Sequence, residues 1–174
     1  MAGLKIPVTS DDHVLGSARA LVTLVEYGDY QCPSCGAAYY IVKRLQQHFG
    51  NEVCFVFRNF PLSQVHPQAE GAAETAEFIG AHGHFWQAHD ALYENQGALG
   101  IALYFEIAEQ LGLSASELRE ALAEGVYQAR VRADFSGGVR SGVNGTPTFF
   151  VNGQRHDGAL DFEGLASAID AYRQ

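Results

Sequence analysis

The chain has 174 residues, the size of one compact domain, and 47% of them are hydrophobic, enough for a sizeable core. Its formal net charge of −9 argues against the basic face that a nucleic-acid partner requires. No run approaches the ~20 apolar residues of a membrane-crossing helix, so no membrane insertion is expected.

In chain order, Met1–Ser10 is mixed in polarity and is interrupted by Asp11, Asp12 and His13, unlike the basic-then-apolar order of an export signal. As written, the chain is expected to be cytoplasmic. A piece cut from behind a native signal (a periplasmic protein) or from a larger protein would read the same. Leu21-Val22-Thr23-Leu24-Val25-Glu26-Tyr27 is apolar and β-branched and predicts a buried strand, with Gly28 and Asp29 as the loop after it. Past Cys32-Pro33-Ser34-Cys35, the residues Ala38, Ile41, Val42, Leu45 and Phe49 recur at helical spacing, and Gly50 closes that helix. Glu52–Arg58 predicts a second strand, which completes a βαβ pattern.

The middle of the chain reads as helical. His66–Gly80 opens with Pro67, suited to a first helical position, and aligns Ala69, Ala72, Ala73, Ala76 and Ile79. Phe85, His89, Leu92 and Tyr93 make a second apolar stripe, and Leu103, Ile107, Ala108 and Leu111 a third, ended by Gly112. Ser114-Ala115-Ser116-Glu117 is a capping box with Leu113 and Leu118 as its hydrophobic staple. The helix it starts, with a break point at Gly125, runs towards Phe135, and Gly137 and Gly138 are expected to end the helical block. Thr146–Val151 predicts a strand beginning at Pro147. Asn152-Gly153 is a hairpin signal, and Gln154–Asp157 is the return strand. A last helix from about Asp161 places Phe162, Leu165, Ile169 and Tyr172 on one face.

Three cysteines are too few for a structural disulfide framework, and two of them form the CxxC. Only a thiolate attacks a disulfide, so a redox cysteine needs a depressed pKa. Cys32 stands just before a predicted helix, where unpaired N–H groups and the helix dipole favour an anion. Cys35, one turn on, can reach a mixed disulfide formed at Cys32. Zinc is the alternative use of such a pair, but it commonly takes four ligands in two close pairs. Cys54 stands alone in a strand pattern as a buried apolar filler, and His82, His84 and His89 read as surface or packing residues, so no metal is expected. From composition alone, Gly145-Thr146-Pro147 would hold a trans proline.

This order of elements and motifs resembles the DsbA-like family, a thioredoxin fold interrupted by a helical insertion. The resemblance rests on Glu26, six residues before Cys32, on Cys32-Pro33-Ser34-Cys35, and on Thr146-Pro147. It also rests on Phe57–Leu62, His66-Pro67, Phe85–Asp90 and Ser141–Gly153, and it spans about residues 8–174. It implies an α/β, thioredoxin-like unit over 1–174, ordered βαβ–ββα, with an all-helical insertion at 63–136 shaping an apolar groove over Cys32. Cys32 would be the nucleophile and Cys35 the resolving thiol, with Glu26 beneath them managing the Cys35 proton. Pro147 would be cis. Thr146, Pro147, Pro33 and Ser34 would meet an extended substrate segment. Tyr30 and Gln31 border the groove or simply pack the loop, and His66 either starts a helix or faces the site. Ser34 replaces the histidine of the family's best-known strong oxidant, which implies a less acidic Cys32 and a less oxidising disulfide. The threonine before Pro147 also occurs in relatives with isomerase character, which leaves the direction of exchange open.

The function so implied is disulfide exchange with protein or peptide thiols, sustained by an unidentified redox-recycling partner and needing no cofactor. Two other readings stand beside it. A glutathione-dependent, kappa-transferase-like enzyme has a similar lidded fold but typically lacks the second cysteine. A non-enzymatic binding or regulatory module is the other, because such domains can be attached to bacterial membrane proteins, including sodium/proton antiporters.

Overall fold

A computed structural model describes residues 3–174; Met1 and Ala2, the start of the mixed amino-terminal stretch and of the expected 1–174 unit, lie outside the described residues. The elements run β1 (His13–Leu15), β2 (Val22–Gly28), α1 (Pro33–Phe49), β3 (Val53–Asn59), α2 (Ala69–Ala81), α3 (Phe85–Glu94), α4 (Ile101–Gln110), α5 (Ala115–Glu124), α6 (Gln128–Arg140), β4 (Thr148–Val151), β5 (Gln154–Arg155) and α7 (Phe162–Asp170). The strands form one mixed sheet in the order β1-β3-β2-β4-β5. Only β2 and β3 run parallel, joined by α1, while β4 returns antiparallel on the other side of β2.

Being central, β2 is covered on both faces, which is why its sequence reads as a nearly continuous apolar run rather than an alternation. Strand periodicity still sorts its side chains. Val22 and Leu24 enter the large core cluster with α1, α7 and helices α2–α5, whereas Val25 and Tyr27 enter a smaller cluster with Phe60, Val143 and Phe150, capped by Phe135 of α6. Glu26 shares the parity of Val22 and Leu24 and pairs with Phe57 and Phe149 on its two neighbours.

Several expectations shift at their edges. The helix predicted from His66 begins at Ala69, and Pro67 lies in the turn ahead of it. Ser114 caps α5 as expected, its hydroxyl accepting from Glu117 N at 3.1 Å, and Gly125 ends the helix. Gly137 and Gly138 do not end the helical block: α6 continues through both to Arg140. Their role is close approach, because a Cβ on Gly138 would lie 2.7 Å from a Phe60 ring carbon and 3.0 Å from one of Tyr27. The return strand is shorter than predicted, holding only Gln154 and Arg155 after a turn in which Asn152 and Gly153 both have positive φ. Tyr172 falls beyond α7 and is exposed. Strand β1 had no signal of its own; three residues carry no period, and only pairing with β3 defines it. Among the described residues no helix is long and apolar enough to cross a membrane.

Candidate active site

Cys32 is the N-cap of α1, with extended backbone (φ −69°, ψ 122°), and Pro33 takes the first helical position, where a missing N–H leaves nothing unpaired. No side chain caps the helix end, so its first N–H groups face the sulfur. Cys32 is 6% exposed and Cys35 wholly buried, and both are free thiols. Across from them the Thr146–Pro147 bond is cis, and Cys32 Sγ lies 3.6 Å from the Thr146 carbonyl oxygen, to which it donates in its thiol form. The cysteine turn and Thr146, 114 positions beyond Cys32, thus come together, with buried Pro147 next to Thr146. Pro33 and Ser34 stand exposed at the helix start.

The electrostatics separate the two thiols. Hydrogen bonding from Cys35, helped by the Thr146 side chain and the Cys35 and Ser34 backbone, outweighs partial burial and lowers the Cys32 pKa to about 5. Burial, the hydrogen bond to Cys32 and the nearby Glu26 charge all push Cys35 far up, so it stays a thiol. Glu26 is 2% exposed, which excludes a solvated strand-end carboxylate, and its Oε2 has no partner. Burial first, then the Cys32 charge, raises it to about 8. A thiol whose lowered pKa favours the anion at neutral pH, a second thiol held protonated beside it and a carboxyl group raised to about 8 therefore occupy one site.

Around this centre the structure adds Asp29, which sequence reasoning left as loop, and assigns partners to Tyr30, Gln31 and His66. Asp29 is buried, and its carboxylate accepts from Gln31 N (2.7 Å), Cys32 N (3.2 Å), Leu62 N (2.9 Å) and His66 Nδ1 (2.7 Å). An aspartate three residues before a helix start is a local Asx-turn signal that could have marked it. Tyr30 is buried and pairs through its hydroxyl with His89 Nδ1 at 2.9 Å, within an aromatic cluster that includes Phe57 and Tyr93. Gln31 and His66 are turned to structural partners, Gln68 N and Asp29 respectively. Cys54 is buried in β3 against Thr23, away from the pair. His82 bonds the Phe78 carbonyl and His89 is deep in the core, so the two do not converge on a common point.

Two clefts flank the site. One of about 370 Å³ reaches Pro147 and is polar, lined by Asn144, Arg155, His156 and Asp157. A larger, more apolar groove of about 670 Å³ lies between the 61–65 segment and α6, lined by Leu62, Val65, Val131 and Phe135. Neither cysteine lines it, so this groove does not sit over Cys32 as expected. The insertion is instead drawn tight against the cysteine turn by the side-chain bridges just described.

The family model described as thioredoxin (Thioredoxin_4) matches residues 8–171. The Na(+)/H(+) antiporter NhaA 1 of Salinispora arenicola is 46% identical over 167 residues, which are 95% of this chain and 26% of that protein. The chain spans about a quarter of the length of the curated relatives it matches. Among solved structures, oxidised BdbD from Bacillus subtilis has a TM-score of 0.84 at 26% identity, covering 91% of each chain. A thioredoxin-like oxidoreductase from Silicibacter pomeroyi has a TM-score of 0.82 at 27% identity, covering 95% of this chain and 94% of that one. The thiol-disulfide exchange protein alpha-DsbA2 of Wolbachia pipientis, at 19% identity, shares the fold with a TM-score of 0.79 over 93% of this chain and 87% of its own. The chain belongs to the thioredoxin family, in the DsbA-like form whose sheet carries a helical insertion.

Proposed function

We propose that this chain is a protein thiol–disulfide oxidoreductase that exchanges disulfides through Cys32 and Cys35. The observation that carries the reading is Cys32 itself: a helix-cap thiol with its pKa lowered to about 5, facing the Thr146 carbonyl, with a buried thiol partner one turn away. The Cys32 thiolate attacks one sulfur of a substrate disulfide. The S–S bond breaks, and the other substrate sulfur leaves as a thiolate that takes a proton from water. Glu26, as carboxylate, accepts the Cys35 proton; the Cys35 thiolate then attacks Cys32 Sγ, the mixed disulfide breaks, and the substrate sulfur that Cys32 had first attacked leaves as a thiolate that takes up a proton in turn. The substrate gains two electrons, and the Cys32–Cys35 pair loses them and becomes a disulfide. The reverse sequence oxidises a substrate dithiol. A thiolate held at low pKa stabilises the reduced pair relative to its disulfide, which tilts exchange towards oxidation of substrates. Substrates are protein or peptide thiols, an extended segment lying along Thr146 and Pro147. A separate redox partner resets the pair.

A second reading, a redox or binding module of a longer antiporter-type protein, is favoured by the antiporter relatives, of which this chain covers about a quarter. Insulin reduction separates the two. The enzyme predicts turnover by the wild type and trapped mixed disulfides in Cys35→Ser; silence in both proteins supports the module. If titration of the reduced protein left both thiols protonated well above neutral pH, the exchange mechanism would fail.

A further inference from the structure

The insertion holds the cysteine turn through side chains at successive residues. His66 binds the Asp29 carboxylate, Gln31 Oε1 accepts from Gln68 N at 2.7 Å, and His89 binds the Tyr30 hydroxyl. One bridge ends on the nucleophile's own backbone. Gln96, on the short 3-10 turn Gln96–Ala98 between α3 and α4, donates its Nε2 to the carbonyls of Tyr30 and Cys32, both at 2.9 Å. The Cys32 carbonyl also accepts Gly36 N at 3.0 Å, the bond that closes the first turn of α1. The Gln96 amide fits there because residue 36 has no side chain: a Cβ on buried Gly36 would fall inside contact distance of Gln96 Oε1.

We propose that Gln96 is a positioning residue for Cys32, reaching in from the helical insertion, and that position 36 is glycine to admit its amide. The inference rests on Cys32 being the nucleophile. Its physical basis is twofold. A carbonyl oxygen close to a sulfur anion repels it, and an N–H donated to that carbonyl reduces the repulsion. Pinning the Tyr30 and Cys32 carbonyls also fixes the turn, so that the Ser34 and Cys35 N–H groups stay aimed at Sγ. Gln96 touches neither substrate nor sulfur; it acts through the backbone of the turn.

The test is a pH titration of the far-ultraviolet thiolate absorbance of the reduced 174-residue chain, run on wild type, Gln96→Ala, Gly36→Ala and the double variant. Alanine at 36 favours the helix, and the atom it displaces is the mobile end of a side chain, so both single variants should fold. Each single variant should make Cys32 about three- to tenfold less acidic, the scale of losing the differential part of two hydrogen bonds. The double variant should match either single one, because both remove the same contact. Gln96→Glu keeps the shape but turns a carboxylate towards two carbonyls, so its loss of acidity should exceed that of Gln96→Ala. Unchanged acidity in Gln96→Ala beside a strongly acidic wild type overturns the proposal, as does an undiminished Gly36→Ala effect once Gln96 is gone. A lowered unfolding midpoint with unmoved acidity does so too, since it marks Gln96 as merely structural. A wild-type Cys32 that stays protonated at neutral pH is a different result: it removes the exchange reading on which this inference stands.

Discussion

Replacing Glu26 with glutamine keeps the side chain's shape and removes its charge, which isolates the cost of ionising a carboxyl group at the centre of the sheet. Burial is the main reason the group titrates at about 8 rather than 4.5. Because the folded pKa lies above the unfolded one, the group's favourable contribution is fully present below pH 4.5 and is lost as pH rises through about 8. Across that window the unfolded chain releases a proton that the folded chain retains, and stability falls by about 1.4 kcal/mol per pH unit. Over the whole span the loss approaches ~5 kcal/mol. The oxidised protein is the form to test, since it removes the second cause, the Cys32 charge. Oxidised Glu26→Gln should therefore match oxidised wild type to within about 1 kcal/mol near pH 4.5 and exceed it by about 3–5 kcal/mol near pH 9. Urea unfolding at the two pH values, with each variant compared with wild type at the same pH, gives the numbers. A difference that is the same at both pH values, or a variant less stable than wild type near pH 9, would refute the argument from desolvation.

The other predictions address the Cys32 thiol and the packing of α6. Thr146→Val keeps the shape beside Cys32 and deletes a buried hydroxyl that has no other partner and is free to donate to a thiolate there, so the absorbance titration of the reduced protein should shift to higher pH; an unmoved titration would show that the hydroxyl plays no part. Gly138→Ala should destabilise the protein by about 1–3 kcal/mol in chemical denaturation, because the new methyl group meets the Phe60 and Tyr27 rings rather than a yielding side chain. No loss of stability there would mean that α6 can lift away from the sheet freely.

Much of this molecule could be read without coordinates because its signals are local. The β2 run, the α1 stripe, the Ser114 cap and the Asn152-Gly153 turn each depend on residues within a few positions of one another, where backbone preference and periodicity act directly. The placement of Cys32 at a helix start is local too, set by the Cys32-Pro33-Ser34-Cys35 motif and the helical stripe that follows it. Gly137 and Gly138 look like a helix stop in sequence, yet Gly138 is a contact point inside α6 for Tyr27 of β2 and for Phe60, just past β3.

What remained undecided until the chain was folded depends on pairings across long stretches of sequence. The Gln96 bond to the Cys32 carbonyl spans 64 positions and that from Cys32 to Thr146 spans 114. The burial of Cys35 and Glu26 and the closure of the insertion onto the turn follow from such contacts. No spacing rule anticipates them, because desolvation and hydrogen-bond geometry depend on which atoms of the folded chain exclude water from which others.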